Sequence, residues 1–174
     1  GTGGVSLFAL QLAKLHGARV IATSSSDEKL ERVRALGADE TINYVTTPEW
    51  GKRARSFGDG QGVDHVVDVG GGATLAQSLV AVRPGGSVAV VGNLGGNDAA
   101  ISVIPILMRQ VRVQGVFVGH RASFEALCRA VAANRLRPVV DRTFPWQDAA
   151  AALAHLASAS AVGKVCLRVR GDAP

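Results

Sequence analysis

Cysteine is scarce in this 174-residue chain: Cys128 and Cys166 stand alone, with no CxxC pair and no histidine at ligand spacing. That excludes a disulfide framework and argues against a structural zinc site built from this chain. Aromatic residues make up 5% of the sequence, with a single tyrosine, Tyr44. Pro48 occupies the position where a catalytic Tyr-x-x-x-Lys pair would need its lysine. No apolar run approaches the roughly 18 residues that span a bilayer, so no membrane partner is expected. With no secretory n-region or h-region either, the expected location is the cytoplasm. Acidic residues are outnumbered, 14 against 19 Lys and Arg, for a formal charge of +5. The basic residues are dispersed, without runs or interleaved aromatics. That pattern disfavours nucleic acid and leaves a bias toward small anionic ligands.

Glycine is abundant, with 21 residues, and hydrophobic residues make up 47%. The chain opens on Gly1-Thr2-Gly3-Gly4-Val5-Ser6 and runs into an apolar segment of helical spacing that stops at Gly17. A glycine cluster opening a helix suits a phosphate, because the first amides have no helical partner and glycine permits close approach. No Gly-Lys-Ser/Thr follows it, which excludes a P-loop. A short strand is expected over residues 19–23. A helix capped by Ser25 with Glu28 follows and ends at Gly37. Further strands are expected at 40–44, 63–69, 87–91 and 111–118. The helices between them fall at 48–57, 73–82, 104–109 and 124–134, with flexible or sharp turns at Gly58–Gly62 and Pro84-Gly85-Gly86. This alternation of strand and helix, with continuous β-branched runs, implies an α/β fold with a doubly wound parallel sheet covered on both faces. Glycines follow the strands at Val69, Val91 and Val118, so the loops at the carboxyl ends converge on one crevice. The tail departs from this rhythm: residues 138–145 are extended, 148–158 form an Ala-rich helix, and 163–169 form a last strand.

Seven stretches in order resemble the medium-chain dehydrogenase/reductase superfamily, the relatives of zinc-type alcohol dehydrogenase and quinone oxidoreductase. They are the opening Gly1–Ser6, residues 17–24, Ala35-Leu36-Gly37-Ala38-Asp39, Ile42-Asn43-Tyr44, Gly62-Val63-Asp64, Arg83-Pro84-Gly85-Gly86 and Gly163-Lys164-Val165. The resemblance implies a Rossmann-type sheet lacking its first strand. It places a truncated cofactor domain over residues 1–137 and a segment that normally joins a separate catalytic domain over 138–174. Zinc, where used, would belong to that other domain. The implied function is the cofactor-binding part of an oxidoreductase moving hydride between nicotinamide and an alcohol, carbonyl or activated alkene, with this piece alone inactive. Small-molecule substrates and homo-oligomers go with it. The alternatives are a non-catalytic nucleotide- or RNA-binding module and, less well matched, a methyltransferase.

In that frame Gly1, Gly3 and Gly4 match the fingerprint glycines, Ser6 takes the third position, and the pyrophosphate would sit on the amides of Gly3, Gly4 and Val5. An NAD site places Asp or Glu about 20 residues after the glycine turn. Thr23, Ser24 and Ser25 stand there instead. Hydroxyls with a nearby cation suit a 2′-phosphate, with Lys29 as the first candidate and Arg19 or Arg32 behind it, so NADP(H) is favoured over NAD(H). By resemblance, Tyr44 lies near the adenosine, Val69, Gly70, Gly92, Asn93 and Leu94 near the nicotinamide ribose, and Phe117 and Val118 near the carboxamide. No catalytic constellation is expected. His16, His65 and His155 read as structural or surface groups, and His120 as a crevice-facing loop residue.

Overall fold

A computed structural model of the chain describes residues 1–57 and 59–169. Gly58 of the expected turn and residues 170–174 of the expected C-terminal segment lie outside the described residues. Helix α1 (Gly4–Leu15) starts at the glycine cluster and ends just before Gly17, whose φ of +74° reverses the chain. Strand β1 (Ile21–Ser24) then pairs in parallel with β2 (Glu40–Asn43) across the helix α2 (Asp27–Ala35). The cap of α2 is Ser26, whose hydroxyl accepts from the Lys29 amide at 3.4 Å, and not the expected Ser25. The helix begins at Asp27, so it is Ser26 that holds the extended backbone (φ −130°) a cap requires.

Helix α3 (Trp50–Arg55) leads to a second parallel sheet of β3 (Val63–Asp68), β4 (Val82–Val90) and β5 (Arg112–Gly115), in that spatial order. Helix α4 (Leu75–Ala81) connects β3 to β4, and α5 (Ile104–Met108) precedes β5. Pro84-Gly85-Gly86 is not a turn that precedes the strand. It lies inside β4, where the register with β3 jumps from Val63↔Val82 to His65↔Ser87. The proline has no amide to give the ladder and Gly85 takes φ +71°, so the three residues loop out while pairing resumes on both sides. Helix α6 (Arg121–Ala133), strand β6 (Val140–Pro145), helix α7 (Ala149–Ala157) and strand β7 (Lys164–Arg168) complete the chain. Strands β6 and β7 form their own parallel pair.

Strands β1 and β3 do not pair with each other, and Gly1 sits between their carboxyl ends. Its nitrogen donates to the Thr23 carbonyl, and a Cβ on it would stand 3.6 Å from Val69 Cγ2. Read across, β2-β1 and β3-β4-β5 follow the doubly wound order 3-2-1-4-5-6 with its central position unfilled. Three apolar clusters hold the layers. Leu7, Leu10, Ala22, Val33 and Ala38 form the first together with Val162 from the tail. Ile42, Ala54 and Ala81, with Ile21, Val63 and Val66 packed against them, join the two sheets through α3. Leu79, Val82, Val88 and Val111 fill the third. The expected cover on both faces is met only in part: His65 and Val67 are exposed on β3, all of β5 is exposed, and α6 buries no residue.

Candidate functional site at the glycine turn

Gly3 caps α1 in extended conformation (φ −78°, ψ 174°), and no side chain bonds to the helix start. The first helical bond runs from the Leu7 amide to the Gly3 carbonyl at 3.0 Å, so the amides of Gly4, Val5 and Ser6 have no partner within the helix. The first turn carries no acidic residue. These amides and the positive end of the helix dipole therefore face outward with no carboxylate of their own turn competing for them.

The tail supplies the residue that completes this turn. The Gly163 amide donates to the Thr2 carbonyl at 2.9 Å, and Gly3 and Gly163 form a parallel bridge. Gly163 is required there: its φ is +99°, and a Cβ would collide with the Val139 backbone. The next residue, Lys164, lays its side chain across Gly4, with Nζ 2.9 Å and Cδ 2.6 Å from where a Cβ would stand. A side chain at position 4 would push the flexible end of Lys164 off the turn. A lysine ammonium beside bare helix-start amides concentrates positive potential at one spot, an arrangement suited to an anion. Sequence reading used Gly163-Lys164-Val165 as a family marker and missed this placement. The glycine–lysine pair at the head of the last strand was a signal, but only the bridge to Gly3 gives it meaning.

At the end of β1, Ser24 is buried at 4% exposure. Its carbonyl accepts from the Tyr44 amide at 3.0 Å and its hydroxyl from the Ser26 amide at 3.4 Å. Ser25 is exposed, and Tyr44 lies just past β2 at 43% exposure. The first carboxylate beyond this strand, Asp27, is engaged by Asn43 Nδ2 at 2.7 Å. The cations expected beside the serines point elsewhere. Lys29 Nζ donates to the Ala159 carbonyl, Arg32 bonds Asp141 at 3.3 Å, and Arg19 is exposed.

Asp68 organises the carboxyl end of β3, which sequence reading also missed. Its buried carboxylate accepts from the amides of Gly70 and Gly71 at 3.0 and 2.9 Å and from Thr74 and Ser78 at 2.5 and 2.6 Å. The loops after β3 and β4 are then tied together: the Gly92 amide reaches Asp68 at 3.4 Å, Leu94 reaches Val69 at 3.2 Å, and Gly95 reaches Gly70 at 2.7 Å. Gly1, Val69, Gly70, Gly92, Asn93 and Leu94 thus fall at one end of the sheet. Asn93 spends its amide on Asn97 at 2.5 Å. Phe117 and Val118 follow β5 at that end and are 90% and 80% exposed.

The histidines have local partners. His16 Nδ1 lies 2.8 Å from the Leu12 carbonyl, and His65 Nδ1 lies 2.6 Å from Ser87 Oγ. His120, expected in a crevice-facing loop, ends the loop before α6 and caps that helix, its Nδ1 accepting from the Ser123 amide at 3.2 Å. His155 Nε2 pairs with Asp141 at 2.8 Å. Among the described residues no three His, Cys, Asp or Glu side chains stand close enough to hold a metal ion, so these residues do not fit a zinc site.

Parallel strands whose carboxyl ends meet an uncapped glycine helix start define a Rossmann-type α/β protein. The chain belongs to the zinc-binding dehydrogenase family, whose profile matches residues 4–133, and so to the medium-chain dehydrogenase/reductase superfamily. It is 41% identical over 173 residues to a zinc-type alcohol dehydrogenase-like protein of Schizosaccharomyces pombe, covering 97% of this chain and 50% of that one. A crystal structure of an NAD-dependent alcohol dehydrogenase aligns with a TM-score of 0.89 at 38% identity, covering 98% of this chain and 49% of the other. A mycobacterial protein complexed with NADPH aligns at 0.82 and 28%, covering 97% and 54%. The chain spans about half the length of these relatives.

Proposed function

We propose that this chain is the cofactor-binding half of a nicotinamide-dependent oxidoreductase that prefers NADP(H). The observation that carries the reading is the glycine turn itself: amides of Gly4, Val5 and Ser6 without partners inside the helix, no acidic residue in the first turn, and Lys164 laid across Gly4. Gly3, Gly4 and Val5 would accept the pyrophosphate on their amides, and Lys164 would neutralise its charge from the tail side. Ser24 and Ser25 would hold the adenosine ribose, with Tyr44 beside the adenine. Val69, Gly70, Gly92, Asn93 and Leu94 would border the nicotinamide ribose, and Phe117 and Val118 would lie at the carboxamide. When bound, the nicotinamide supplies a hydride acceptor or donor at C4 for an alcohol, carbonyl or activated alkene. The residues of this chain bind and orient it.

The preference for the 2′-phosphate rests on the absence of a carboxylate at the end of β1, where Asp or Glu would repel it. Related proteins include one named for NAD and one bound to NADPH, so the family alone leaves both cofactors open. In this reading residues 138–174 are the part that meets a catalytic domain, the enzyme is an oligomer acting on small molecules in the cytoplasm, and the 174-residue chain by itself turns nothing over. Calorimetric titration at the protein's natural length is the test: NADPH is expected to bind at least tenfold more tightly than NADH, and equal or tighter NADH binding would overturn the preference.

A further inference from the structure

Lys29 has two claims on its charge. It stands on the first turn of α2, where side chains lean back toward the helix start, and the residues there are Ser24, Ser25 and the cap Ser26. Yet its Nζ donates to the carbonyl of Ala159, two residues past the end of α7. That carbonyl belongs to a residue in left-handed conformation, φ +54°, a backbone state that alanine adopts at a cost. The turn is otherwise held by short local bonds. Ser158 Oγ donates to the His155 carbonyl at 2.7 Å, the Ser160 amide reaches Ser158 Oγ at 3.4 Å, and the Ala159 amide reaches Leu156 at 3.2 Å. Lys29 adds the tie from another element and brings a cation to the carboxyl end of α7, where the helix dipole favours one.

The same stretch of tail touches the other end of the candidate site. Five residues after Ala159 comes Lys164, laid across Gly4, and between them Val162 is buried against Leu7, Leu10 and Val33. The segment 159–164 therefore runs from the serine end of the site to the glycine turn as one strap.

We infer that Lys29 is an exchangeable clamp: a 2′-phosphate at Ser24 and Ser25 draws its ammonium away from Ala159 and releases the strained turn at residues 158–161, whereas a 2′-hydroxyl leaves the clamp closed. The inference rests on the proposed NADP(H) preference. It makes the type of cofactor legible at the tail, which a bound phosphate does not touch. A dianionic phosphate outcompetes a neutral carbonyl for an ammonium because charge-assisted pairing is stronger. Once Lys29 leaves, only the local bonds of the turn hold Ala159 in its left-handed conformation.

Hydrogen exchange read by mass spectrometry over residues 157–162, in the protein at its natural length, tests this with NADPH, NADH and neither. At saturation NADPH should speed exchange there at least fivefold over NADH. Lys29→Met without cofactor should exchange as fast as the NADPH-bound parent, and NADPH should then change nothing further. Equal exchange with both cofactors, in a protein that does bind NADPH more tightly, would overturn the clamp and leave the preference standing. Binding of NADPH no tighter than NADH would overturn the preference and the exchange together. Lys29→Met exchanging like the parent without cofactor would show that the lysine never held the turn.

Discussion

Asp141 does more for cohesion than its place near the end of a short strand suggests. Its carboxylate, 12% exposed, accepts from His155 Nε2 at 2.8 Å, the Val162 amide at 3.0 Å and Arg32 at 3.3 Å. Burial pushes its pKa up, but the bonds from His155 and Val162 and the charge and bond of Arg32 together hold it below the usual carboxylate value of 3.8. A carboxyl held low in the folded state stabilises above its unfolded pKa, and that contribution fades as pH falls through the folded one. Asp141→Asn should therefore cost about 2 kcal/mol at pH 7, because a charged acceptor for three donors is lost. Denaturant titrations of parent and variant should converge as the pH is lowered from 5 toward 3, and a constant difference across that range would refute the assignment. His155, expected to be a structural or surface group, is the donor that reaches Asp141 from α7. The partnership with Asp141 was not legible, since one stands on α7 and the other on β6, brought together only by the turn after Pro145.

Elements show the same division between what sequence announces and what it conceals. Periodicity and glycine stops found the α-helices and strands among the described residues, because the chain alternates apolar runs with left-handed stops such as Gly17 and Gly37, but not the short 3-10 turns Gly71–Ala73 and Trp146–Asp148. Boundaries shifted where one residue's chemistry decided them, as with Ser26 over Ser25, or where a loop could hide within a strand, as in β4. Concealed altogether was the capping of α4. Its terminal carbonyls are covered by two guanidinium groups: Arg109 reaches Leu79 and Val82, the latter at 3.0 Å, and Arg55 reaches Val80 at 3.3 Å and Val82 at 3.2 Å. Desolvation and the neighbouring Arg55 charge lower the pKa of Arg109, so the pair is held by carbonyl dipoles against mutual repulsion. Arg109→Met should cost about 1.5 kcal/mol and Arg55→Met about 1 kcal/mol. Because both bond the Val82 carbonyl, the double variant should lose more than the sum, and additive losses in urea unfolding would count against shared capping. The candidate site was legible along the glycine turn and at the serines after β1, where local motif and chemistry coincide. Lys164 and Asp68 were not, because each acts through partners set by register.

At the scale of the whole molecule, the unfilled place between β1 and β3 and the bare β5 leave strand edges facing outward beside exposed Leu94, Leu107, Met108 and Phe117. Unpaired edges next to apolar surface invite pairing with another chain. The 174-residue chain should accordingly self-associate in light scattering as its concentration rises through the micromolar range, and a monomer throughout would count against it. Charged gatekeepers are few there: β5 carries Arg112, and β3 carries Asp64 and Asp68, the latter turned inward. The parallel bridge between Gly3 and Gly163 has a consequence for assembly. It joins residues separated by nearly the whole length of the chain. Closing so long a loop costs entropy that local contacts cannot offset early, so pairings of this kind form late. During synthesis the glycine turn therefore stays open until Lys164 has left the ribosome, and the pairing of β6 with β7 waits for the same stretch of chain. The turn that opens α1 is thus completed only once β7 has emerged.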